Sequence, residues 1–546
     1  MIKLIYSDIA VGSREAFQPS AEGADGISHI EQIAQAGLNF PEFSTICELN
    51  QTFLDGSMRI LPDDTSEENI GLWSTAITDS DGDFSTFPTL TMTAAGLYTS
   101  QGITITTGDA YPASVNIKWY RDGEVLSDMD FTPDSNMYYC ENRVDSYNQI
   151  IVTFHALVLP HRRLKLRGLV HGRIREFDGH TLSGISIIQE CSPISAEIAI
   201  NTLDFTLRGD TAIDYVFQTR QSLEIYSNDD MLGVFFVRSY GTDDIQSRSR
   251  FYHVSAEDYF GLLDQLTFVG GIYNNKNAYE LMAAMLDNAH VPHEIDESLK
   301  SETVSGWIPV CTCREAIRQI CFAIGAAADT TLSHKVRIFR PSDEVVRHFS
   351  LRDIMQGQTL TDRDRKLTEV RMTVHGFSAG DRAVKAYDAQ ESGTGSNIYV
   401  EFSDPLYNLT ISSGTIVESV ANYAIINAQS GCVLSGTQYT HTKTMRSKRN
   451  PIVNAGDPEN IIKVENMTLV TAANADARLN AVYDYYAVQG VIESDLIMAR
   501  VGNTMAARPG DRIEIETVKS GVQTAWLESM RYNLYGGAVV AETQAR

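Results

Sequence analysis

The chain has 546 residues, too many for a single core, and its hydrophobic fraction of 43% and charged fraction of 21% are typical of ordinary globular protein. No apolar run approaches the roughly 18 residues of a membrane-spanning helix, and Asp8 interrupts the short apolar start, so we expect neither a bilayer span nor a secretory signal. The formal net charge is -26, and residues 1–160 contain 6 Lys+Arg against 23 Asp+Glu. So acidic a region is not expected to bind nucleic acid through phosphates. A solvated surface, a basic partner or bound cations would each explain the acidity.

The cysteines are scattered and odd in number, which is unlike a disulfide framework and indicates assembly in a reducing cytoplasm. They are Cys47, Cys140, Cys191, Cys311, Cys313, Cys321 and Cys432.

Strand patterns dominate residues 1–165, which we interpret as an acidic β-sandwich. Apolar and polar residues alternate over 90–108 and 115–131, and Asp122-Gly123 is typical of a hairpin turn. Residues 149–159 predict a more buried strand.

A basic segment follows, because positions 161–175 contain six Arg/Lys and no acid. Arg163, Lys165 and Arg167 alternate with Leu164 and Leu166, which predicts a strand with one basic face and one buried face. The basic face is either an ordinary solvated surface or a surface turned toward an acidic partner, a neighbouring subunit or a nucleic-acid channel.

Three further domains are predicted after the sandwich. Residues 166–265 are strand-rich and indicate a compact antiparallel β-barrel. Residues 266–345 indicate a small α/β domain: Asn277 would cap one helix, and Thr312 with Glu315 forms a capping box before a second. Residues 346–546 indicate a second, larger β-barrel with helical insertions at 418–429 and 474–488. The predicted fold class is therefore mainly β with an α+β insert.

Residues 376–380 match G-x-S-x-G, the nucleophile elbow of many serine hydrolases, which would make Ser378 a nucleophile. A working elbow needs a strand, a sharp turn and a helix. Here a clear strand precedes Ser378, but the chain soon enters a Ser- and Gly-containing segment, and the single later histidine, His441, lies in a Thr- and Lys-rich stretch. We therefore favour a strand-ending turn, with Gly376 and Gly380 as flexible positions.

Two metal-like patterns also have simpler structural explanations. Cys311, Cys313 and Cys321 lie near His290 and His293, but the spacing is uncommon for zinc, and the capping box already explains the segment. The acidic residues 79–84 resemble a calcium loop, but Gly82 is displaced from the position that an EF-hand requires, so an acidic hairpin tip is favoured. No phosphate-binding loop is present at 392–397. We predict no catalytic residue, metal ligand or cofactor.

Long phrases of residues 170–546 resemble tail proteins of phages and prophages that infect Gram-positive gut bacteria, of the baseplate hub or tail-associated class. They occupy residues 175–207, 268–286, 305–330, 402–424 and 508–537. The acidic start also resembles the N-terminal part of these proteins.

The resemblance implies a non-enzymatic structural protein of the virion, assembled in the host bacterial cytoplasm. It implies a homotrimer in which each chain supplies two tube-like barrels, adapts a hexameric tail tube to a trimeric tip and lets DNA pass. The implied partners are the tail tube, other baseplate or distal tail proteins, and a tail-tip or tape-measure protein.

An alternative function is host-surface glycan binding by the sandwich, with Trp73, Trp119 and Tyr120 as stacking faces, joined by Tyr138 and Tyr139. Most aromatic residues of a sandwich belong to its core, which is the competing explanation.

Overall fold

The computed structural model describes residues 2–9, 13–29, 45–47, 59–61, 71–209, 217–227, 230–244, 250–355, 359–362, 366–454, 456, 458–487, 490–497, 507–518, 520–533 and 540–545. Strands predominate there, and the predicted mainly β class with an α+β insert is confirmed. Within the described ranges, no helix combines the length and the apolar character that crossing a bilayer requires.

The chain divides into two compact units. The N-terminal unit comprises Ile5–Glu176 and Arg220–Ser222, and the large unit comprises Met1–Leu4, Phe177–Thr219 and Leu223–Arg546. The four domain ranges predicted from the sequence stay a prediction.

The first twelve strands are β1 (Ile2–Ile9), β2 (Ala24–Asp25), β3 (Ile27–His29), β4 (Thr45–Cys47), β5 (Arg59–Leu61), β6 (Leu72–Ser74), β7 (Thr89–Thr107), β8 (Pro112–Arg121), β9 (Glu124–Phe131), β10 (Met137–Leu157), β11 (Lys165–Val170) and β12 (Gly172–Asp178). Helix α1 (Ser13–Ala16) and a 3-10 turn (Ala21–Gly23) lie between β1 and β2.

The N-terminal unit is built on one antiparallel sheet with the strand order β3-β6-β11-β7-β10-β8-β9, and β2 pairs with β7. The predicted hairpin turn is confirmed, since β8 and β9 pair from Arg121↔Glu124 onward and both Asp122 and Gly123 have positive φ. Strands β7 and β10 are long, and their register shifts between Glu141 and Gln149, which marks bulges where such strands bend. Side chains from both halves of these strands therefore pack into one core around Trp119.

The remaining strands are β13 (Leu182–Glu190), β14 (Thr202–Gly209), β15 (Ser222–Ser227), β16 (Asp230–Asp244), β17 (Arg250–Glu257), β18 (Thr267–Phe268), β19 (Gly271–Asn277), β20 (His293–Ile295), β21 (Thr303–Ile308), β22 (Cys311–Thr312), β23 (Ala327–Asp329), β24 (Val336–Phe339), β25 (Val345–Phe349), β26 (Thr359–Asp362), β27 (Glu369–Ser378), β28 (Ala383–Asp388), β29 (Gly395–Glu401), β30 (Leu406–Ile411), β31 (Gly414–Ser419), β32 (Tyr423–Ala428), β33 (Val433–Gln438), β34 (Thr440–Arg449), β35 (Ile461–Val464), β36 (Gly490–Ile497), β37 (Arg512–Thr517), β38 (Gly521–Asn533) and β39 (Val540–Ala545). The helices are α2 (Tyr259–Leu263), α3 (Ala278–Asn288), α4 (Cys313–Ile324), α5 (Ala389–Ser392) and α6 (Ala475–Ala487), with a 3-10 turn at Glu297–Leu299.

One large sheet of the large unit joins strands that lie far apart in the sequence. Part of its order runs β15-β16-β17-β14-β13-β38-β39-β36-β26, and β37 attaches β25 to β38. Strands β13 and β38 pair antiparallel, with Ile187 opposite Tyr532. Both of these side chains are fully buried. The β13–β38 pairing joins strands of residues 182–257 and those of the C-terminal region in one continuous sheet.

The small α/β region contains the two predicted helices, and both predicted caps are confirmed. The Asn277 side chain accepts from the backbone N–H of Glu280 at 2.9 Å, and Thr312 accepts from Glu315 at 3.2 Å. The reciprocal half of the capping box is replaced, because the Glu315 carboxylate binds the Arg318 guanidinium at 2.7 Å. The helices pack through a shared core of Met282, Met285, Ile317, Ile320 and Cys321.

The predicted helix at 474–488 is confirmed as α6, whereas the predicted helix at 418–429 is wrong. That segment completes β31, turns, and forms β32. Ala424, Ile426 and Ala428 are buried with period two, so strand alternation outweighs the apparent helical spacing. Strands β28–β33 form two three-stranded sheets with a small core of their own, inserted between β27 and β34.

Candidate functional site

The candidate nucleophile Ser378 lies at the exposed end of β27, opposite Thr440 of β34. The next regular element is another strand, β28, so the strand–turn–helix of a nucleophile elbow is absent at this position. Gly376 lies within β27, and Gly380 lies where a Cβ atom would overlap the Gln438 carbonyl oxygen. The glycines therefore serve close packing of neighbouring chain segments.

His441, the single histidine that follows Ser378 in the sequence, hydrogen-bonds to another histidine. His375 Nδ1 lies 2.9 Å from His441 Nε2, and His375 Nε2 lies 3.0 Å from the Glu465 carbonyl oxygen. A carbonyl only accepts, so Nε2 of His375 carries the proton and its Nδ1 accepts from His441 Nε2–H. Burial lowers the pKa of both imidazoles, which favours this neutral pair at neutral pH.

Aromatic rings extend this pair into a packed cluster. Phe377 stacks on His441 with centroids 4.3 Å apart, and Trp307 meets the edge of Phe377 at 5.9 Å. His375 is 3% exposed, so its imidazole is sequestered by the surrounding chain. The arrangement holds the end of β27 against neighbouring segments, and we interpret its role as structural.

Asn422 is the centre of the hydrogen bonding around Trp307. Its Nδ2 donates to the carbonyl oxygens of Val269 at 2.7 Å and Ile308 at 2.8 Å, while its Oδ1 accepts from Trp307 Nε1 at 2.7 Å. The residue is 1% exposed, so the amide is shielded from competing water. We refer to Asn422 and these three partners as the Asn422 clamp, which ties the inserted β28–β33 region to the α/β region.

The Asn422 clamp has no local pattern in the sequence that marks it. The partners of Asn422 lie 114 to 153 residues away in the chain. Thr468 adds a similar remote contact, because its hydroxyl donates to the Trp307 carbonyl oxygen and lies 2.8 Å from Gln319 Oε1. A single buried asparagine in a turn between strands carries no sequence signal that distinguishes it from a solvated one.

The cysteine and histidine residues singled out as a metal-like group have other surroundings. Cys313 starts α4, and Cys321 is buried with its Sγ 3.9 Å from Met282 Sδ. Burial raises the pKa of Cys321 and of Cys311 to about 12, which favours the thiol over the metal-binding thiolate. Over the described residues, no group of three or more His, Cys, Asp or Glu is arranged to hold a metal ion.

The acidic turn at 79–84 uses its first carboxylate locally. Asp79 Oδ1 accepts from the backbone N–H groups of Asp81 at 2.9 Å and Asp83 at 3.0 Å. Those hydrogen bonds lower the pKa of Asp79. The predicted hairpin tip is thus a self-bonded turn of the Asx type.

The aromatic residues proposed for glycan stacking divide into core and partly exposed residues. Trp119 is 0% exposed and Trp73 is 6% exposed, with Lys165 Nζ 4.2 Å above the Trp73 ring. The prediction that these two tryptophans present stacking faces is therefore wrong, because the core and Lys165 already cover them. Tyr120, like Tyr138 and Tyr139, is half-buried.

The basic strand has the predicted buried leucines but a less uniform basic face. Leu164 and Leu166 are fully buried. Arg163 is also buried, at 6% exposure, and its guanidinium donates to the Ser74 carbonyl oxygen at 2.8 Å and to that of Thr75. The expectation of three outward basic side chains is wrong for Arg163, because its guanidinium is buried and hydrogen-bonds to backbone carbonyl oxygens. Lys165 covers Trp73, and Arg167 alone of the three is exposed.

Comparison with known proteins adds only structural likenesses. No family model matches the chain, and no curated protein matches it. Among solved structures, the chain is similar to the 43 kDa tail protein of prophage MuSo2 from Shewanella oneidensis, at 10% identity over 68% of this chain and 95% of that one, with a TM-score of 0.46. It is similar to a tail protein from Neisseria meningitidis MC58, at 10% identity over 68% of this chain and 93% of that one, with a TM-score of 0.44. It is also similar to the prophage tail protein gp18 from Listeria monocytogenes EGD-e, at 10% identity over 68% of this chain and 91% of that one, with a TM-score of 0.38.

Proposed function

We propose that this chain is a structural tail protein of a phage of Gram-positive gut bacteria, or of a phage-like injection particle. It acts as the baseplate hub at the distal end of the tail, where a homotrimer adapts the hexameric tube to a trimeric tip. The protein is made in the bacterial cytoplasm and becomes part of the virion.

The observation that carries the proposal is the joined sheet of the large unit. Pairing of β13 with β38 brings an N-terminal and a C-terminal group of strands into one sheet. A trimer of chains with two strand groups each supplies six groups, which is the number needed to match a hexameric tube. The resemblance of residues 170–546 to tail proteins supports the same reading independently of the sheet.

The net charge of -26 is consistent with a channel that passes DNA without binding it. Acidic side chains repel phosphates, so DNA would not adhere to an acidic wall. Reversing acidic residues that face the channel in an assembled particle should slow DNA ejection. Unchanged ejection would remove the support that charge lends to the proposal.

The implied partners are further copies of the chain, the tail tube, other distal tail proteins and a tail-tip or tape-measure protein. Glycan binding by the N-terminal unit is not part of the proposal, because both of its candidate tryptophans, Trp73 and Trp119, are buried.

Assembly of the purified full-length chain tests the proposal. Native mass spectrometry and multi-angle light scattering over a range of concentrations should detect trimers or closed rings of trimeric symmetry. A chain that stays monomeric at every concentration would contradict the hub role. Reading frames beside the gene supply a second test, since a hub gene is expected to follow one for a tape-measure protein.

A further inference from the structure

Strand β34 forms a basic edge in the large unit. In the described part of the chain it pairs with β27 on one side only, at the end of the sheet β34-β27-β35. Its ten residues, Thr440–Arg449, include Lys443, Arg446, Lys448 and Arg449 and no acid. An unpaired strand edge offers a row of backbone donors and acceptors to another strand.

Helix α6 occupies one face of β34 and neutralises part of its charge. Arg446 pairs with Asp476, and Lys448 Nζ lies 3.4 Å from Asp484 and 4.1 Å above the Tyr483 ring. Lys443, Met445 and Arg449 alternate with these residues and therefore lie on the other face. All three are exposed, with Met445 65% exposed, so this face retains both positive charge and apolar surface.

Strand β9 forms an acidic edge in the N-terminal unit. It is the terminal strand of its sheet among the described residues, and its eight residues, Glu124–Phe131, include Glu124, Asp128 and Asp130 and no base. Val125, Leu126 and Met129 on the same strand are 55%, 41% and 42% exposed. An edge strand with several exposed apolar side chains is uncommon in a protein that stays free in solution.

The two edges are complementary in charge and each discourages pairing with itself. Two β34 strands side by side would bring lysine and arginine side chains together, and two β9 strands would bring carboxylates together, which is destabilising in either case. Pairing β9 with β34 places opposite charges across the new ladder and buries exposed apolar side chains on both strands.

We propose that β9 of one copy of this chain adds as a strand to β34 of a second copy. This contact is heterologous, because different surfaces of the two copies meet, and heterologous contacts generate rings when the rotation closes. The inference rests on the proposed function for its premise that copies of the chain assemble, and it names the surfaces through which they do so.

Charge exchange on the full-length chain tests the pairing. Lys443→Glu with Met445→Glu makes the β34 edge acidic, and Glu124→Lys with Asp130→Lys makes the β9 edge basic. Each double variant should raise the dissociation constant of assembly by at least about tenfold, since like charges would face each other. Combining all four substitutions restores opposite charges and should return the constant to within about threefold of the unmodified chain.

Matched controls carry the same kinds of substitution on exposed positions away from the two edges. Lys276→Glu with Val417→Glu is the control for β34, and Asp25→Lys with Asp109→Lys is the control for β9. Analytical ultracentrifugation measures assembly, and thermal melting checks that each variant remains folded. Controls should assemble as the unmodified chain does, and raised salt should weaken assembly of the unmodified chain.

The outcomes separate this inference from the proposed function. An unmodified chain that never assembles overturns both. The β9–β34 pairing alone is overturned if assembly is insensitive to both edge variants. It is also overturned if each double variant weakens assembly but the variant with all four substitutions does not recover it. Duplex DNA added to the unmodified chain tests a different occupant: DNA binding that disappears in the β34 variant while assembly is unchanged would assign the basic edge to nucleic acid and overturn the pairing.

Discussion

Replacing Asn422 by leucine should release the inserted β28–β33 region from the α/β region. Leucine has a similar size, but it can neither donate to the carbonyl oxygens of Val269 and Ile308 nor accept from Trp307 Nε1. Three hydrogen bonds would be lost together, and the groups that made them would stay in place without the amide.

The expected loss of stability follows from the burial of the Asn422 clamp. Asn422 is 1% exposed and Ile308 is 0% exposed, while Val269 is 37% exposed, so its carbonyl region is the nearest to solvent. A buried polar group left without a partner costs about 1–3 kcal/mol, and a partly solvated one costs less. One buried partner, Ile308, and two partly buried partners, Trp307 and Val269, therefore predict a destabilisation of about 3 kcal/mol, since such contributions do not add fully.

Hydrogen–deuterium exchange measures this opening locally, which matters because a chain with two compact units need not unfold in one step. A loss of about 3 kcal/mol should speed exchange in β31 and β32 by about a hundredfold, because 1.4 kcal/mol corresponds to a factor of ten. Asn427→Leu on β32, the strand that follows Asn422, is the control, as Asn427 bonds at the surface to Asn397 and Thr415. Equal exchange in the two variants would refute the assignment of Asn422 as a clamp.

Three further predictions concern single residues. Burial lowers the pKa of His171 from 6.5 to about 3, so between these pH values the unfolded chain binds a proton that the folded chain does not. The free energy of unfolding should therefore be about 2–3 kcal/mol lower at pH 4.5 than above about pH 6.5. Urea titrations at both pH values measure this, and His171→Phe, which leaves the Tyr147 hydroxyl bonded to Ser100, should reduce the pH dependence; an unchanged dependence would contradict the assignment. Gly325→Ala should lower the melting temperature at a cost of about 1–2 kcal/mol, because Gly325 ends α4 with φ +74 and a Cβ would displace the Arg478 guanidinium; an unchanged melt would contradict it. Ser378 should resist fluorophosphonate labelling, and labelling that Ser378→Ala abolishes would reopen the hydrolase interpretation.

Local patterns in the sequence predicted the elements whose cause is local. The caps at Asn277 and Thr312 depend on residues three positions away, and both form as predicted. The turn at Asp122-Gly123 likewise depends on the intrinsic tolerance of those residues for positive φ. The apolar residues of segment 418–429 fit both the helical period and the strand period. Pairing of β32 with β29 and β31 makes this part of the segment a strand.

Contacts between distant segments explain what the sequence could not predict. Arg163 has the alternation of an outward basic residue, yet the carbonyl oxygens of Ser74 and Thr75 draw its guanidinium inward. Trp119 is a residue type suited to stacking on a ligand, yet packing of β7, β8 and β10 buries it completely. In each case the deciding partner lies tens of residues away, so neither spacing nor composition could reveal it.

The G-x-S-x-G pattern shows how one chemical signature can arise from a different physical need. The inserted β28–β33 region leaves the main fold after β27 and returns at β34, so its entering and leaving segments run side by side. Gln438 donates its backbone N–H to the Arg382 carbonyl oxygen, and the Tyr407 hydroxyl donates to that of Gly380 at 2.6 Å. A side chain at position 380 would overlap the returning segment, so glycine is required there by crowding. In a nucleophile elbow, the glycines make room for the sharp turn that exposes the catalytic serine. Here they allow two chain segments to pack closely at the base of an insertion, and we interpret the serine between them as an ordinary strand-end residue.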